Sequence, residues 1–157
     1  MKKLLMTSSA LAIGVGALMV ICGLWAVTFT YQNVAQEKIT TPDDASIPNA
    51  PVLGPFTLKS QADVIRKHTL KSTKGKTYSE MPRQVTKVDE NDEPVVDREG
   101  KPVMIPNEAR NMWITATSLT TALHLGIITY LFSGLIILFG LISIWTGLIF
   151  RQLARAK

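Results

Sequence analysis

The chain has 157 residues and a formal charge of +5, from 17 Lys/Arg against 12 Asp/Glu. That surplus stands entirely at the two ends, in Lys2, Lys3, Arg151, Arg155 and Lys157, while residues 31–110 balance to zero. Nucleic-acid binding is therefore excluded as the reading of the basic pI: the middle lacks clustered Lys/Arg with interleaved aromatics, and basic tails beside apolar runs suit anionic lipid headgroups.

After a three-residue cytoplasmic tail (1–3), residues 4–30 carry no charge. Twenty-seven such residues exceed the about 7–15 of a signal-peptide core and the about 20 of a spanning helix. Cleavage is disfavoured: Trp25 and Phe29 crowd the exit, Ala35 has Asn33 two residues before it, and bulky Ile21 precedes Cys22 where lipoprotein processing needs a small residue. The expectation is a signal anchor whose outer aromatic belt is Trp25, Phe29 and Tyr31. Cys22 is the single cysteine and lies within this run, so the outer segment has no disulfide to staple it.

Residues 31–106 form the expected extracytoplasmic segment. Its first part, 31–56, reads as a linker broken by Pro42, Pro48, Pro51, Gly54 and Pro55. The small module 57–106 comes next. Ser60 with Asp63 makes an S-x-x-D cap, predicting a helix over 61–72 with Leu58, Ala62 and Ile65 as its buried side. Three turns do not stand alone in water, so this helix must dock on something. Gly75, Lys76, Thr77, Tyr78 and Glu80 then form a candidate interaction loop, whose plainer role is to cap the helix. A tandem V-D-x-x-x-x-P-V repeat covers 88–95 and 96–103, predicting short extended arms around two loops. Its acidic cluster lacks the glycine and distant bidentate Glu of a calcium loop, and a solvated turn is the better reading.

The second charge-free run, 111–150, is about twice the length a bilayer needs. Five hydroxyls between Thr115 and Thr121 mark 107–124 as an outer extension, started after Pro106 with Glu108 in the first turn. Residues 125–150 are the second span, and 151–157 a basic cytoplasmic tail. Trp113 and His124 fall at the interface. An ionisable side chain there is a site hypothesis by default, but a neutral His bonded to a headgroup or carbonyl is the simpler account.

Small residues recur every seven positions on both spans: Ser9, Gly16, Gly23 and Thr30 on the first, Gly126, Ser133, Gly140 and Gly147 on the second. Sevenfold spacing returns to nearly one face, and small side chains let backbones approach. This favours a packing face, within the chain or toward a partner helix, over the mere frequency of glycine in membrane helices.

Several strings resemble an actinobacterial family of small two-span membrane proteins: Gly54-Pro55-Phe56; Gln61-Ala62-Asp63 with Ile65 and His68; Gly75-Lys76-Thr77-Tyr78-Ser79-Glu80; and Lys38-Ile39-Thr40 after the first span. The resemblance covers most of the chain and departs over 81–106, where the tandem repeat looks like an insertion. It implies the topology. Members are commonly labelled aromatic ring-opening dioxygenases, which implies two His and a carboxylate on iron. This chain offers only His68 and His124, on separate segments, and no Cys/His metal spacing or phosphate loop.

The resulting expectation is a membrane α-helical fold: two transmembrane helices in a hairpin, both termini cytoplasmic, with a small extracytoplasmic α+β insertion. It is expected to be no enzyme and to hold no cofactor or metal. Its partners are membrane lipids and other membrane-protein subunits, with homo-oligomers open and nucleic acid excluded. The role is that of an accessory or assembly subunit of a cell-envelope or respiratory complex. The alternative is an extracytoplasmic ligand-binding or sensing module.

Overall fold

The structure, a computed structural model, describes residues 1–156; Lys157, the last cation of the expected tail, lies outside the described residues. Two long helices dominate it, α1 over Lys2–Gln36 and α3 over Glu108–Ala156. Neither contains a proline. Their Ser and Thr hydroxyls mostly bond the carbonyl one turn back, as Thr28 does to Leu24 and Thr129 to Leu125, instead of competing with the helix. Both helices are long and apolar enough to cross a membrane, and only 11% of each most apolar window is buried. They pack antiparallel, so both ends of the chain lie at one end of the hairpin.

Helix α1 runs past residue 30 to Gln36, taking the first residues of the expected linker. The rest of that linker is an ordered loop. Thr40 and Pro51 form an antiparallel bridge, and Thr41, almost wholly buried, closes the loop with its hydroxyl and backbone on Ile47, Asn49 and Ala50. One central threonine thus supplies the bonds that a proline-rich segment cannot make as a helix or sheet.

Helix α2 spans Pro55–Ser72, six residues earlier than the sequence pattern predicts. Pro55 stands at its first positions, where a missing N–H costs nothing, and the Thr57 hydroxyl accepts the Gly54 N–H. Ser60 is therefore no cap: it sits buried inside the helix, where its hydroxyl accepts the Ile47 N–H and meets Ser46. The apolar side of α2 docks on the upper part of α3. Val52, Leu58, Ala62 and Leu123 form the core, with Val34, Ile39, Ile65, Ile127 and Tyr130 around it.

Beyond α2 come a single 3-10 turn at Tyr78–Glu80 and a two-stranded antiparallel ribbon, β1 (Gln84–Thr86) with β2 (Met104–Pro106). Val85 lies opposite Ile105. The ribbon packs on none of the helices. It joins α3 through Asn107, whose backbone N–H reaches the Arg83 carbonyl and whose side-chain amide reaches Pro82. Between the strands the tandem repeat forms two equivalent loops. The Asp89 carboxylate accepts the N–H groups of Asn91 and Glu93, and Asp97 accepts those of Glu99 and Lys101. At their base Lys87 donates to Val103, Val103 to Val95 and Val95 to Lys87, a ring of three backbone hydrogen bonds.

Candidate functional site

The two small-residue faces meet each other. Ser9 donates its hydroxyl to the Gly147 carbonyl at 2.7 Å, and Ser143 donates to that of Ala12 at 2.9 Å. A Cβ on Gly16 would stand 2.5 Å from the Gly140 carbonyl oxygen, and one on Gly140 would stand 2.8 Å from that of Gly16. At Gly23 it would meet Ile137 at 2.5 Å and the Ser133 carbonyl oxygen at 3.1 Å. Each step of seven up α1 thus answers a step of seven down α3. Thr30 is buried, with its hydroxyl on the Ala26 carbonyl. Gly126 departs from the pattern: it faces α2, and a Cβ there would stand 3.2 Å from Leu58.

The loop at 75–80 is held from beneath. Lys74 and Gly75 take left-handed backbone conformations (φ 53° and 80°), and the Gly75 N–H reaches back to the Leu70 carbonyl to end α2. Trp113 of α3, buried, donates its indole N–H to the Lys76 carbonyl at 2.9 Å and lies 3.3 Å from the Thr73 hydroxyl. The Arg110 guanidinium stacks 3.7 Å from the Tyr78 ring centroid. Glu80 accepts both the hydroxyl and the backbone N–H of Thr77 at 2.6 Å, and these bonds hold its carboxyl below the usual range. Lys76, Tyr78 and Ser79 remain exposed. The backbone is tied down, Thr77 and Glu80 bond each other, and Lys76 and Ser79 are left exposed with one face of Tyr78.

Two hollows flank α2. An apolar cleft of about 430 Å³ opens between the end of α1, α2 and α3, walled by Val34, Ile39, Leu58, Ile65, Leu119 and Leu123. Gln61 is among its lining residues, and its side-chain amide oxygen Oε1 is buried with no partner among the described residues. On the other side is a polar recess of about 150 Å³, lined by Asp63, Arg66, Trp113, Thr117, Thr120 and His124. Arg66 lies 5.6 Å over the Trp113 ring there.

His68 and His124 have different surroundings. His68 lies 2.9 Å from Asp44, which also pairs with Lys67 at 2.9 Å. The Lys67 and His68 contacts hold the Asp44 carboxyl down to about 2. Among the expected interfacial residues, Trp25 stacks on Phe29 at 5.4 Å and both are exposed, as is Tyr31, while Trp113 is buried.

Sequence reasoning missed the Asp44–Lys67–His68 cluster, the Tyr130 hydroxyl on the Leu53 carbonyl, and Trp113 as the support of the loop. Each joins residues more than 20 positions apart, with no local signature. Arg66 beside Trp113 was no more visible. No protein-family model, curated protein or solved structure matches the chain.

Proposed function

We propose that this chain is a two-span membrane hairpin with both termini in the cytoplasm. Its non-enzymatic work is that of an accessory or assembly subunit, recognised by a partner membrane protein through its outer segment. The mostly exposed apolar surfaces of α1 and α3 support the membrane reading, since a soluble core helix of that composition would be covered. Lys2, Lys3, Arg151 and Arg155 at one end of the hairpin support the sidedness. The α2 helix, the loop at 75–80 and the ribbon then form the extracytoplasmic insertion.

The observation that carries the partner reading is the loop at 75–80. Its main chain is fixed by Trp113, while Lys76 and Ser79 are exposed and Tyr78 presents the face of its ring that Arg110 does not cover. Preorganised loops of this kind lose little entropy on binding. The small-residue faces are engaged within the chain, so partner binding falls to the outer segment instead. The test is mild-detergent purification of the full-length protein, with mass spectrometry of the intact chain and everything retained. Near-stoichiometric membrane subunits, released by Lys76→Glu with Tyr78→Ala, are the expected outcome. Purification alone refutes it.

A second reading is favoured by one specific feature, the apolar cleft with Gln61 in its wall. Its volume falls in the about 300–1,000 Å³ range of small-molecule sites, and its lining is mostly apolar with Gln61 among the few polar side chains. A defined small molecule co-purifying with wild type, and lost from Gln61→Leu, would support this reading.

A further inference from the structure

Phe56 is 82% exposed, the most exposed aromatic in the chain, yet it lies at the end of a segment that is otherwise packed. Its level along the hairpin is fixed by four contacts. Leu58 abuts Gly126; Arg66 lies over Trp113; Trp113 also reaches Thr73; and Tyr130 donates its hydroxyl to the Leu53 carbonyl at 2.7 Å. Helix α2 therefore runs antiparallel to α3, with its N-terminus directed down the hairpin. Phe56, two residues before Leu58, is about 3 Å deeper than the Leu58–Gly126 contact. In the seam register Gly126 corresponds to Thr30, which is flanked by Phe29 and Tyr31. Phe56 thus stands level with the exposed Trp25, Phe29 and Tyr31.

We infer that the N-terminal end of α2, at Pro55 and Phe56, is a foot inserted into the outer leaflet of the bilayer. Phe56 is its lipid-facing anchor. This rests on the membrane reading above. An aromatic ring at that depth completes the interfacial belt begun by α1. Lys59 stands about one turn outward on α2, exposed and paired with Asp63 at 2.7 Å, so the charged groups of α2 begin on the headgroup side of the ring. The foot is rigid: Pro55 fixes the first turn, Thr57 caps it, and the Tyr130 bond holds Leu53 down. The outer helix is consequently clamped between α3 and the lipid, not held above the membrane by a tether.

Nitroxide labels in full-length protein test this, with Cys22→Ala as background and vesicles of phosphatidylcholine and phosphatidylglycerol. Single cysteines are placed by Phe56→Cys, Phe29→Cys and Ser79→Cys, and collisions with dissolved oxygen and with a water-soluble nickel chelate are compared. The foot predicts a ratio of oxygen to nickel accessibility at 56 several-fold above that at 79 and comparable to that at 29. A water-like ratio at 56 with a lipid-like one at 29 overturns the foot and leaves the hairpin standing. Water-like ratios at both overturn the membrane reading itself. Exclusion of both reagents at 56 means that protein covers the ring, which also overturns the lipid assignment. Phe56→Leu, which keeps an apolar group for the leaflet, should retain the folded state that Phe56→Asp weakens in vesicles. Equal stability of the two variants counts against insertion.

Discussion

The two ends of the hairpin are joined by different chemistry. Along the lower part, α1 and α3 touch through glycine and serine, backbone against backbone, with Ser9 and Ser143 bonding directly to carbonyls across the seam. From Tyr130 upward the contacts to the outer segment are made by large side chains reaching main-chain oxygens: Trp113 to Lys76 and Tyr130 to Leu53. On the membrane reading the contrast has a physical cause. Lipid tails are as apolar as leucine, so close approach is what remains to hold helices together, whereas an outer segment gains by burying indole and phenol rings while their polar atoms find partners.

Breaking the upper half should have the largest effect. Trp113→Ala removes a buried indole, its two polar contacts and the platform under Arg66, and is expected to cost about 3–5 kcal/mol locally. Hydrogen exchange should accelerate at 73–80 while the seam amides stay protected. Loss of protection along the entire hairpin would mean that the two halves are one cooperative unit.

Next in size is the seam. Gly16→Ala forces a methyl group toward the Gly140 carbonyl oxygen and should cost about 1–3 kcal/mol in micelle unfolding. Gly14→Ala, two residues away in open space, should be neutral or stabilising, by up to about 1 kcal/mol. Equal effects at the two positions would show that helix propensity, not close approach, governs the lower half. A smaller loss, about 0.6 kcal/mol, is expected for Ser9→Ala, since hydrogen bonds between helices in lipid are individually weak.

The smallest effect concerns the exposed Asp44 cluster. Its carboxyl is depressed from 3.8 to about 2 by Lys67 and then His68, so its stabilising contribution is fully present above the unfolded value. It is lost as the pH falls through the folded one. Amide shifts of the 41–50 loop should therefore change between about pH 4 and pH 2, and Asp44→Asn should abolish that change. An unaltered titration in the variant would assign it to another carboxylate.

How much could be read from the sequence depends on how far apart the interacting residues lie. A sevenfold recurrence of small side chains is a local pattern, and it marks faces that meet in the structure, save at Gly126. The repeat's loops were equally legible, because each Asp bonds amides two and four residues on. The start of α2 was misread because proline both breaks helices and opens them. Only the tertiary position of Ser60, buried against the 41–50 loop, shows that its S-x-x-D spacing is not a cap. Trp113 was visible as an interfacial aromatic. Its role under the loop depends on a contact spanning 37 residues, which no local pattern encodes.

The ring at the base of the repeat has a consequence for solubility. Lys87, Val95 and Val103 each give their N–H to one neighbour and lend their carbonyl to the other, so all six main-chain groups are occupied. An ordinary three-stranded meander would leave two open flanks on which a foreign strand can grow. Closing three short arms into a circuit removes both flanks at that level. The proline one residue before each of Val95 and Val103 has no N–H to offer. At that level the protrusion offers a foreign strand no free main-chain group among these three residues, and deleting either eight-residue unit would turn the circuit back into a hairpin with edges.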